Sequence, residues 1–516
     1  MRDWVSTRAA SRLVGPLIAA LGGLVGLYVL GERTAWRFTG SGADMANHYA
    51  LTYWFAHNWS LPSADDLTLD VLARNPPVAN IVAALVGRLV DSPFKGLHLV
   101  ALAAVVLIWT AIAALLTTLP SPRRWIALGL LAVLLFLNTP VGFLSLNVHG
   151  FEIVVNFFLA QVVGQVLVWW LVWFAVRRRL AGRSPISTAV PIAIVAVLST
   201  FVHALAAVEL LGLVGCLSVA EMWTRWRAGR RDLRSQGVPI LLAVGTAGAI
   251  ALTPGFRAQR GFSSNDGYLE VDYMSWLGSY ISVALLVLVV SMMLLVKSAD
   301  RRLERTTTAV LQGLGFAGIA IATSCLAQAI LLAAGEGSPY AVKKYAFGLL
   351  TVLAVDICVA LAIVFPVTSV DGHRSQATLK VAAAMGITLI AMYGIMSRPG
   401  AGYFTSSIET LERRVVAAAS SAGLGTDGRD YAVELPDSDG WLDFMFTTAI
   451  LRPRREQVAY SALVLGRRSR LRGVSDELLT AGGSRYDVIA CRSTGLPDLV
   501  VVDADCWSRL MRAGSK

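Results

Sequence analysis

Long apolar runs alternate with short polar segments along most of the chain. Most runs cover about 17 to 25 residues, the length at which an α-helix crosses the hydrocarbon core of a bilayer. This pattern predicts a polytopic α-helical membrane protein with about eleven spans. The expected spans are 13–30, 97–119, 125–137, 154–176, two from a single fold of 189–223, 238–252, 276–296, 309–333, 347–365 and 379–396.

Arginine residues cluster in the polar segments between the runs, at 123–124, 177–179, 225–231 and 301–302. Because cationic loops stay cytoplasmic, these clusters predict an N-terminus inside and, after eleven spans, a C-terminus outside. The first run follows Arg2, Arg8 and Arg12 and imitates a signal peptide. No convincing small-residue cleavage site accompanies it, so we expect a retained signal anchor.

Two domains are expected. Residues 1–396 form a membrane domain with an outer loop at 32–96, and residues 397–516 form a small extracytoplasmic α/β domain. In the outer loop, interfacial helices are expected at 43–57 and 78–90, separated by the helix-breaking Pro76 and Pro77. In the C-terminal domain the pattern predicts a helix at 408–419 and strands at 431–435, 458–465, 486–490 and 499–502.

Composition excludes a soluble protein. The 516 residues are 55% hydrophobic and 15% charged, and the mean hydropathy is +0.61. The net charge of +11 lies in the Arg clusters between spans, so nucleic acid is not expected as a partner. Cys216, Cys325 and Cys358 fall inside apolar runs. Cys491 and Cys506 lie in the outer domain, where disulfides persist, and whether they form one is left open.

Polar side chains near the outer membrane face suggest a single outward-opening cavity with an acidic and a basic wall, because ionisable groups at membrane depth usually face a cavity or a partner. The candidates are Asp44, His48, Asn75, Asn147, His149, His203, Glu209, Arg257, Arg260, Lys343 and Lys344.

Asp44 follows the first span, with His48 one helical turn later. A carboxylate at this position can act as a general base toward an acceptor hydroxyl. The alternative is that Asp44 only caps a helix starting at Met45.

Lys343 and Lys344 stand beside Tyr340 and Tyr345, before an expected span. Two adjacent lysines on the outer side depart from the positive-inside pattern and suit a phosphate site. Ordinary snorkelling of lysine at a helix end is the alternative. Arg257 and Arg260 are further candidates for a phosphate, or belong to a solvated loop.

Three other groups have competing interpretations. Glu209 is the expected partner of His203, about two turns on, although a lone histidine on an apolar face is more often a packed, hydrogen-bonded residue. His149 with Asn147 is a similar case. Asp65, Asp66 and Asp70 suit a divalent cation, yet a solvated acidic turn is favoured. No metal ligands are assigned, and a divalent cation is left open as a cofactor.

Two short motifs resemble the GT-C superfamily of polyprenyl-phosphate-sugar-dependent glycosyltransferases. They are Gly42-Ala43-Asp44 in the first outer loop and Asn75-Pro76-Pro77-Val78, which is similar to the Tyr-Pro-Pro element often found before an apolar helix. More faintly, Tyr340-Ala341-Val342-Lys343-Lys344-Tyr345 is similar to the Tyr-rich Lys motif of some bacterial arabinofuranosyltransferases. The resemblance implies that Asp44 is the catalytic base and that Lys343 or Lys344 binds the donor phosphate. Met45 stands where some members have a second acid, which leaves metal dependence open.

We therefore expect an inverting glycosyltransferase of the bacterial cytoplasmic membrane, with its active site on the extracytoplasmic side. Its partners would be a polyprenyl-phosphate sugar donor, membrane lipids, and a glycan, lipid or protein acceptor. Asp44 would be catalytic, and the substrate-binding residues would be Lys343, Lys344, His48, His203, Arg257, Tyr340 and Tyr345. The alternatives are a lipid-glycan transporter or flippase, an O-antigen polymerase or ligase, and a non-enzymatic envelope assembly protein.

Overall fold

The structure is a computed structural model. It describes residues 16, 20, 22–23, 43–62, 76–138, 144, 146–230, 232–262, 279–364, 376–396, 405–421, 431–434, 441–452 and 500–503. The expected sites at Asp65, Asp66, Asp70, Asn75, Cys491 and Cys506 lie outside these residues, as does most of the first expected span.

The described residues are mainly helical. The helices are α1 (Ala43–His57), α2 (Val78–Leu89), α3 (Pro93–Leu116), α4 (Arg123–Leu137), α5 (Phe151–Val155), α6 (Leu159–Leu180), α7 (Pro185–Ser199), α8 (Ala204–Arg227), α9 (Leu233–Leu252), α10 (Pro254–Phe262), α11 (Tyr280–Ser298), α12 (Arg305–Ala333), α13 (Pro339–Lys343), α14 (Ala346–Val364), α15 (Gln376–Met396), α16 (Thr405–Ser421) and α17 (Trp441–Phe446). A π-helical turn, Thr447–Leu451, continues α17, and two strands are β1 (Tyr431–Glu434) and β2 (Val500–Asp503).

Six helical segments within the described part of the chain are long and apolar enough to cross a membrane. They are α3, α6, α8, α11, α12 and the segment Pro339–Val364, which contains α13 and α14. The chain is therefore a helical membrane protein, as the hydropathy pattern predicts. The figure of eleven spans and the orientation in the membrane stay predictions.

The expected span at 154–176 begins later than the pattern predicts. Helix α5 ends at Val155, and α6 begins only at Leu159. Between them Phe157 adopts φ +57°, a left-handed conformation that an α-helix cannot include. The apolar pattern does not reveal this turn, because hydrophobicity alone does not report backbone direction.

The apolar stretch 189–223 folds once, as expected, but its two helices are unequal. Helix α7 has 15 residues and α8 has 24. Pro185 is the first residue of α7 and follows the capping Ser184. Proline fits at this position because the first N–H of a helix has no intrahelical partner. His203 caps α8, so the reversal falls at residues 200–203.

Glycines on α12 permit close helix contacts. A Cβ at Gly313 would meet Val176 of α6, and a Cβ at Gly318 would meet Ser291 of α11. Small residues serve this purpose in membrane proteins, where helices gain from close van der Waals packing rather than from expelling water. Helices α11 and α12 pack together, and α8 packs against both α7 and α12.

By internal contacts the chain divides into two compact units. Unit 1 comprises Met1–Trp36, Ala101–Val155 and Ala160–Pro399, and unit 2 comprises Arg37–Val100, Asn156–Leu159 and Gly400–Lys516. In unit 2, β1 and β2 pair antiparallel, with Tyr431 opposite Asp503. These strands and α16 lie where the sequence predicts them. The expected strands at 458–465 and 486–490 lie outside the described residues, so the α/β domain stays a prediction.

Candidate functional site

Helix α1 carries the expected base. Asp44 lies in the first turn, where a negative side chain is stabilised by the helix dipole. His48 follows one turn later, and its Nδ1 lies 2.9 Å from Oδ1 of Asn80 on α2. Both Asp44 and His48 are half-buried. Helix α1 includes Ala43 and Asp44, so Asp44 lies inside the first turn rather than before it.

A second acid in unit 2 was missed by the sequence interpretation. Glu412 of α16 is buried and accepts three hydrogen bonds: Tyr49 Oη donates at 2.7 Å, Ser92 Oγ at 2.5 Å and the Phe94 backbone N–H at 3.2 Å. Burial raises the pKa of Glu412 above its ordinary value, while the three donors oppose that change. Burial, followed by the nearby Glu412 charge, raises the pKa of Tyr49 well above 10.0.

The sequence carried a signal for Glu412. It lies four residues after Ile408 and three before Val415, and both of these neighbours are fully buried. A carboxylate on the apolar face of an amphipathic helix needs hydrogen-bond donors from whatever packs there.

In unit 1, a buried acid holds the histidine before α5. Nδ1 of His149 lies 2.7 Å from Oε1 of Glu152, and Gly150 N–H donates to Oε2 of Glu152 at 2.5 Å. His149 N–H also donates to Thr351 Oγ1 of α14 at 2.8 Å. His149 is thus packed and hydrogen-bonded, the more common case expected for such a histidine. Its partner is Glu152, which the turn at Gly150, with φ +108°, brings close to it.

The sequence spacing suggested that Glu209 pairs with His203. In the structure the two side chains do not pair. His203 Nδ1 accepts a hydrogen bond from Leu205 N–H at 3.2 Å and so caps α8. Glu209 Oε2 instead accepts from Gln165 Nε2 of α6 at 2.8 Å. Its other oxygen is buried without a hydrogen-bond partner. The two residues therefore hydrogen-bond to different partners, and spacing along one helix cannot reveal this.

His149, Gln165 and Glu209 line one small cavity in unit 1. Its other lining residues are apolar: Val168, Trp169, Val172, Leu213, Ala317, Ala320, Ile321 and Val352. Tyr345 is buried nearby and interacts electrostatically with Glu209. One turn before Gln165, Gln161 Nε2 donates to the Lys344 carbonyl at 3.1 Å. The first two turns of α6 therefore approach both the acid and the lysine segment.

The lysine segment forms the short helix α13. Ser338 caps it by accepting from Ala341 N–H. Lys344 Nζ lies 4.5 Å from the ring centroid of Tyr340, a cation–π distance. Both lysines are half-buried, whereas Tyr345 is buried. Arg257 is exposed, with Nε 3.4 Å from the Ala251 carbonyl oxygen. The side chain of Arg260 lies outside the described part of the structure.

A buried acid in α14 was also missed. Asp356 Oδ2 accepts from Ser291 Oγ of α11 at 2.9 Å, and Oδ1 has no hydrogen-bond partner. A lone aspartate in an otherwise apolar run is a signal that the sequence did offer.

The expected site residues belong to both units. Asp44 and His48 lie in unit 2, whereas His203, Arg257, Tyr340, Lys343, Lys344 and Tyr345 lie in unit 1. Within the described ranges, no group of three His, Cys, Asp or Glu side chains is arranged to hold a metal ion. Comparison with protein-family models gives no match, and comparison with curated protein sequences gives none. The resemblance to GT-C enzymes therefore stays a prediction, which depends on its short motifs.

Proposed function

We propose that the protein is a membrane glycosyltransferase of GT-C type. It transfers a sugar from a polyprenyl-phosphate donor to a glycan, lipid or protein acceptor of the cell envelope. The observation that carries this proposal is helix α1, which has Asp44 in its first turn and His48 one turn later, both half-buried. Half-burial suits a general base, which must reach its substrate while being partly shielded from water.

In the proposed reaction Asp44 takes the proton of an acceptor hydroxyl. The acceptor oxygen then forms a bond to the anomeric carbon, and the bond between that carbon and the phosphate oxygen breaks. The lipid phosphate leaves with the electron pair, and the configuration at the anomeric carbon inverts. Such a leaving group needs its negative charge stabilised, so cationic residues matter as much as the base.

Lys343 and Lys344 are the proposed phosphate ligands, with Tyr340, Tyr345, His203 and Arg257 around the donor. The contact of Lys344 with the Tyr340 ring supports this role, because an aromatic face orients an ammonium group without neutralising it. His48, fixed by Asn80, is proposed to contact the sugar.

An exposed apolar surface in unit 2 supports entry of the donor from the lipid. Trp59 is 74% exposed and Leu89 is 85% exposed, and Arg88 lies 4.2 Å over the Trp59 ring. Aromatic, aliphatic and cationic side chains combined in this way are typical of a membrane interface. We propose that this surface rests at the headgroup level.

The proposal includes a bacterial cytoplasmic membrane location, about eleven spans with the N-terminus inside, and residues 397–516 as an extracytoplasmic α/β domain. The Arg clusters between apolar runs support this orientation. The pair β1 and β2 supports the mixed character of the C-terminal domain.

The decisive experiment is transfer from a labelled polyprenyl-phosphate sugar by membranes containing wild type, Asp44→Asn or Asp44→Glu. We expect Asp44→Asn to reduce the transfer rate at least about 100-fold, the scale of a lost general base. Asp44→Glu should retain part of the wild-type rate. Asp300→Asn is the matched control. Asp300 lies in a turn with Lys297, so this variant should transfer the sugar at the wild-type rate. Full transfer by Asp44→Asn would remove Asp44 as the base.

A lipid-glycan transporter or flippase is the second candidate. The observation favouring it is the buried group of His149, Glu152 and Glu209 in unit 1, since such residues mark ion and proton pathways in transporters. Flipping of a labelled lipid-linked glycan that continues in Asp44→Asn, and stops without a proton gradient, would favour it. Transfer only from lipid-linked oligosaccharides would instead favour an O-antigen polymerase or ligase.

A further inference from the structure

Three buried polar atoms, in residues that line the cavity in unit 1, have no hydrogen-bond partners. They are Nε2 of His149, Oε1 of Gln165 and Oε1 of Glu209, and all three residues line the same cavity. These side chains are at most 2% exposed. Since most buried polar atoms in proteins have a partner, three unpartnered atoms around one cavity indicate that it accepts a ligand.

The ligand must be very small. The cavity has room for roughly one water molecule, and its remaining lining is apolar. Gln165 and Glu209 present acceptor oxygens, while the imidazole nitrogen either donates or accepts. A water molecule that carries an exchangeable proton satisfies this set, because it can donate to both oxygens and exchange with the ring nitrogen.

We propose that this cavity is a proton-binding site inside the membrane-spanning part of the protein. One exchangeable proton is shared by Glu209 and His149 through a water molecule. In one state the Glu209 carboxyl holds the proton as O–H. On transfer the water takes this proton and gives one of its own to His149 Nε2, which leaves Glu209 as a carboxylate. The resulting imidazolium balances the new Glu209 charge across the water and keeps its contact with the Glu152 carboxylate, 2.7 Å from Nδ1.

The surroundings of Glu209 favour a proton over a permanent cation. Helix α7 contributes no titratable side chain, and the Arg257 side chain on α10 is exposed. Besides His149, which lines the same cavity, the titratable groups of other described elements that interact with Glu209 are Glu152, Tyr345 and Cys325. None of these three is a cation. A charged Glu209 carboxylate would therefore be costly here, and a proton removes that cost.

The site does not depend on glycosyl transfer, so its test uses a spectroscopic measurement. The full-length protein, labelled with δ-¹³C-glutamate, is titrated with acid and base in detergent micelles while its infrared difference spectrum is recorded. We expect a protonated carboxyl C=O band that shifts with the label, which separates glutamate from Asp356. This band should be lost in Glu209→Gln, and Glu209→Gln should take up one proton fewer in a dye-based titration.

Two control variants make the assignment specific. Glu221 lies on the same helix, is 6% exposed and pairs with Arg225 at 2.8 Å, so Glu221→Gln should keep the band. Glu412→Gln removes a buried glutamate of unit 2 and should also keep the band. His149→Gln should change the pH at which the band titrates without abolishing it.

Three outcomes would overturn the proposal. The first is a wild-type protein without a label-sensitive, pH-dependent carboxyl band, a result that needs no variant to fold. The second is a band that persists in folded Glu209→Gln. The third is a band that changes with sodium concentration at fixed pH, because this would indicate a monovalent cation site instead.

Discussion

Glu412 in unit 2 and Glu209 in unit 1 are both 2% exposed, yet their hydrogen bonding differs. Both oxygens of Glu412 are bonded, by Tyr49, Ser92 and the Phe94 backbone. Glu209 lines a cavity, accepts from a single donor, Gln165, and has one oxygen without a hydrogen-bond partner. Burial alone therefore does not distinguish the two acids. The number of satisfied lone pairs does.

This difference separates a structural acid from a ligand-binding one. A carboxylate that is hydrogen-bonded at both oxygens holds its own helix, here α16, against the elements that donate to it, α1 and the start of α3. Its removal leaves several buried donors without an acceptor. A partly bonded carboxylate contributes little to packing and keeps capacity for a ligand. Substitutions at these two acids and at the residues around them test this contrast.

Glu412→Ala is expected to be the most damaging change. It leaves the Tyr49 hydroxyl, the Ser92 hydroxyl and the Phe94 N–H buried without their acceptor, which should cost about 3–5 kcal/mol. The free energy of unfolding is measured by denaturant titration in detergent micelles. Glu409→Ala is the matched control on the same helix. Its contacts with Lys95 and Arg413 are both 3.9 Å long, so a loss below about 1 kcal/mol is expected.

The same acid predicts a pH dependence. Because burial raises the folded-state pKa of Glu412 above its ordinary 4.5, the folded protein binds the proton more tightly than the unfolded chain. The stability that Glu412 gains from binding this proton is then complete below pH 4.5 and is lost as the pH rises through the raised pKa. Glu412→Gln should remove this decline. An equally steep decline in Glu412→Gln would assign it to another group.

Gly150→Ala tests the turn that orients the histidine in unit 1. Gly150 has φ +108°, and an added Cβ would collide with Ile395 and lie 2.9 Å from Val105. We expect a loss of about 2–3 kcal/mol in the same titration. Gly129→Ala is the control, because Gly129 lies inside α4 with open space around it and should be neutral or slightly stabilised. Equal effects of the two changes would contradict the strain at Gly150.

Tyr49→Phe removes one of the three donors to Glu412 and should cost about 1–2 kcal/mol. Burial also raises the pKa of Tyr49 well above 10.0, so the folded protein keeps a phenolic proton that the unfolded chain loses. Stability should therefore fall as the pH rises above 10.0, and less steeply in Tyr49→Phe. A weaker decline should remain from Tyr53, whose pKa is raised to about 12. Identical alkaline slopes would show that the Tyr49 proton is not held.

Much of the helical pattern was predictable from sequence. Helix α1 matches its expected bounds, α2 ends one residue early, and the reversal between α7 and α8 lies near His203, as the Arg-rich segments on both flanks predicted. These features depend on local hydrophobicity, on proline and on charge, all of which can be read within a short window. The break at Phe157 was missed because it is a backbone conformation at an apolar residue.

The polar contacts were less predictable, because they join residues far apart in sequence. Glu412 is 363 residues from Tyr49, and Glu209 is 44 residues from Gln165. Spacing on one helix suggested His203 as the partner of Glu209, yet His203 accepts a hydrogen bond from the Leu205 N–H of its own helix. A local pattern can show that a buried acid needs donors. Only packing of different helices decides which residues supply them.

Glu209→Gln should have the smallest effect on stability. Glutamine keeps the size of the side chain, still accepts from Gln165 and adds donors that can face the cavity, so a change within about 1 kcal/mol is expected. The denaturant titration used for Glu412→Ala measures it under identical conditions. A loss as large as that of Glu412→Ala would make Glu209 a structural acid and remove the contrast between the two. If Glu209→Gln leaves the free energy of unfolding nearly unchanged and abolishes the carboxyl band, proton binding is separate from folding. A single substitution would then remove proton binding and leave the fold intact.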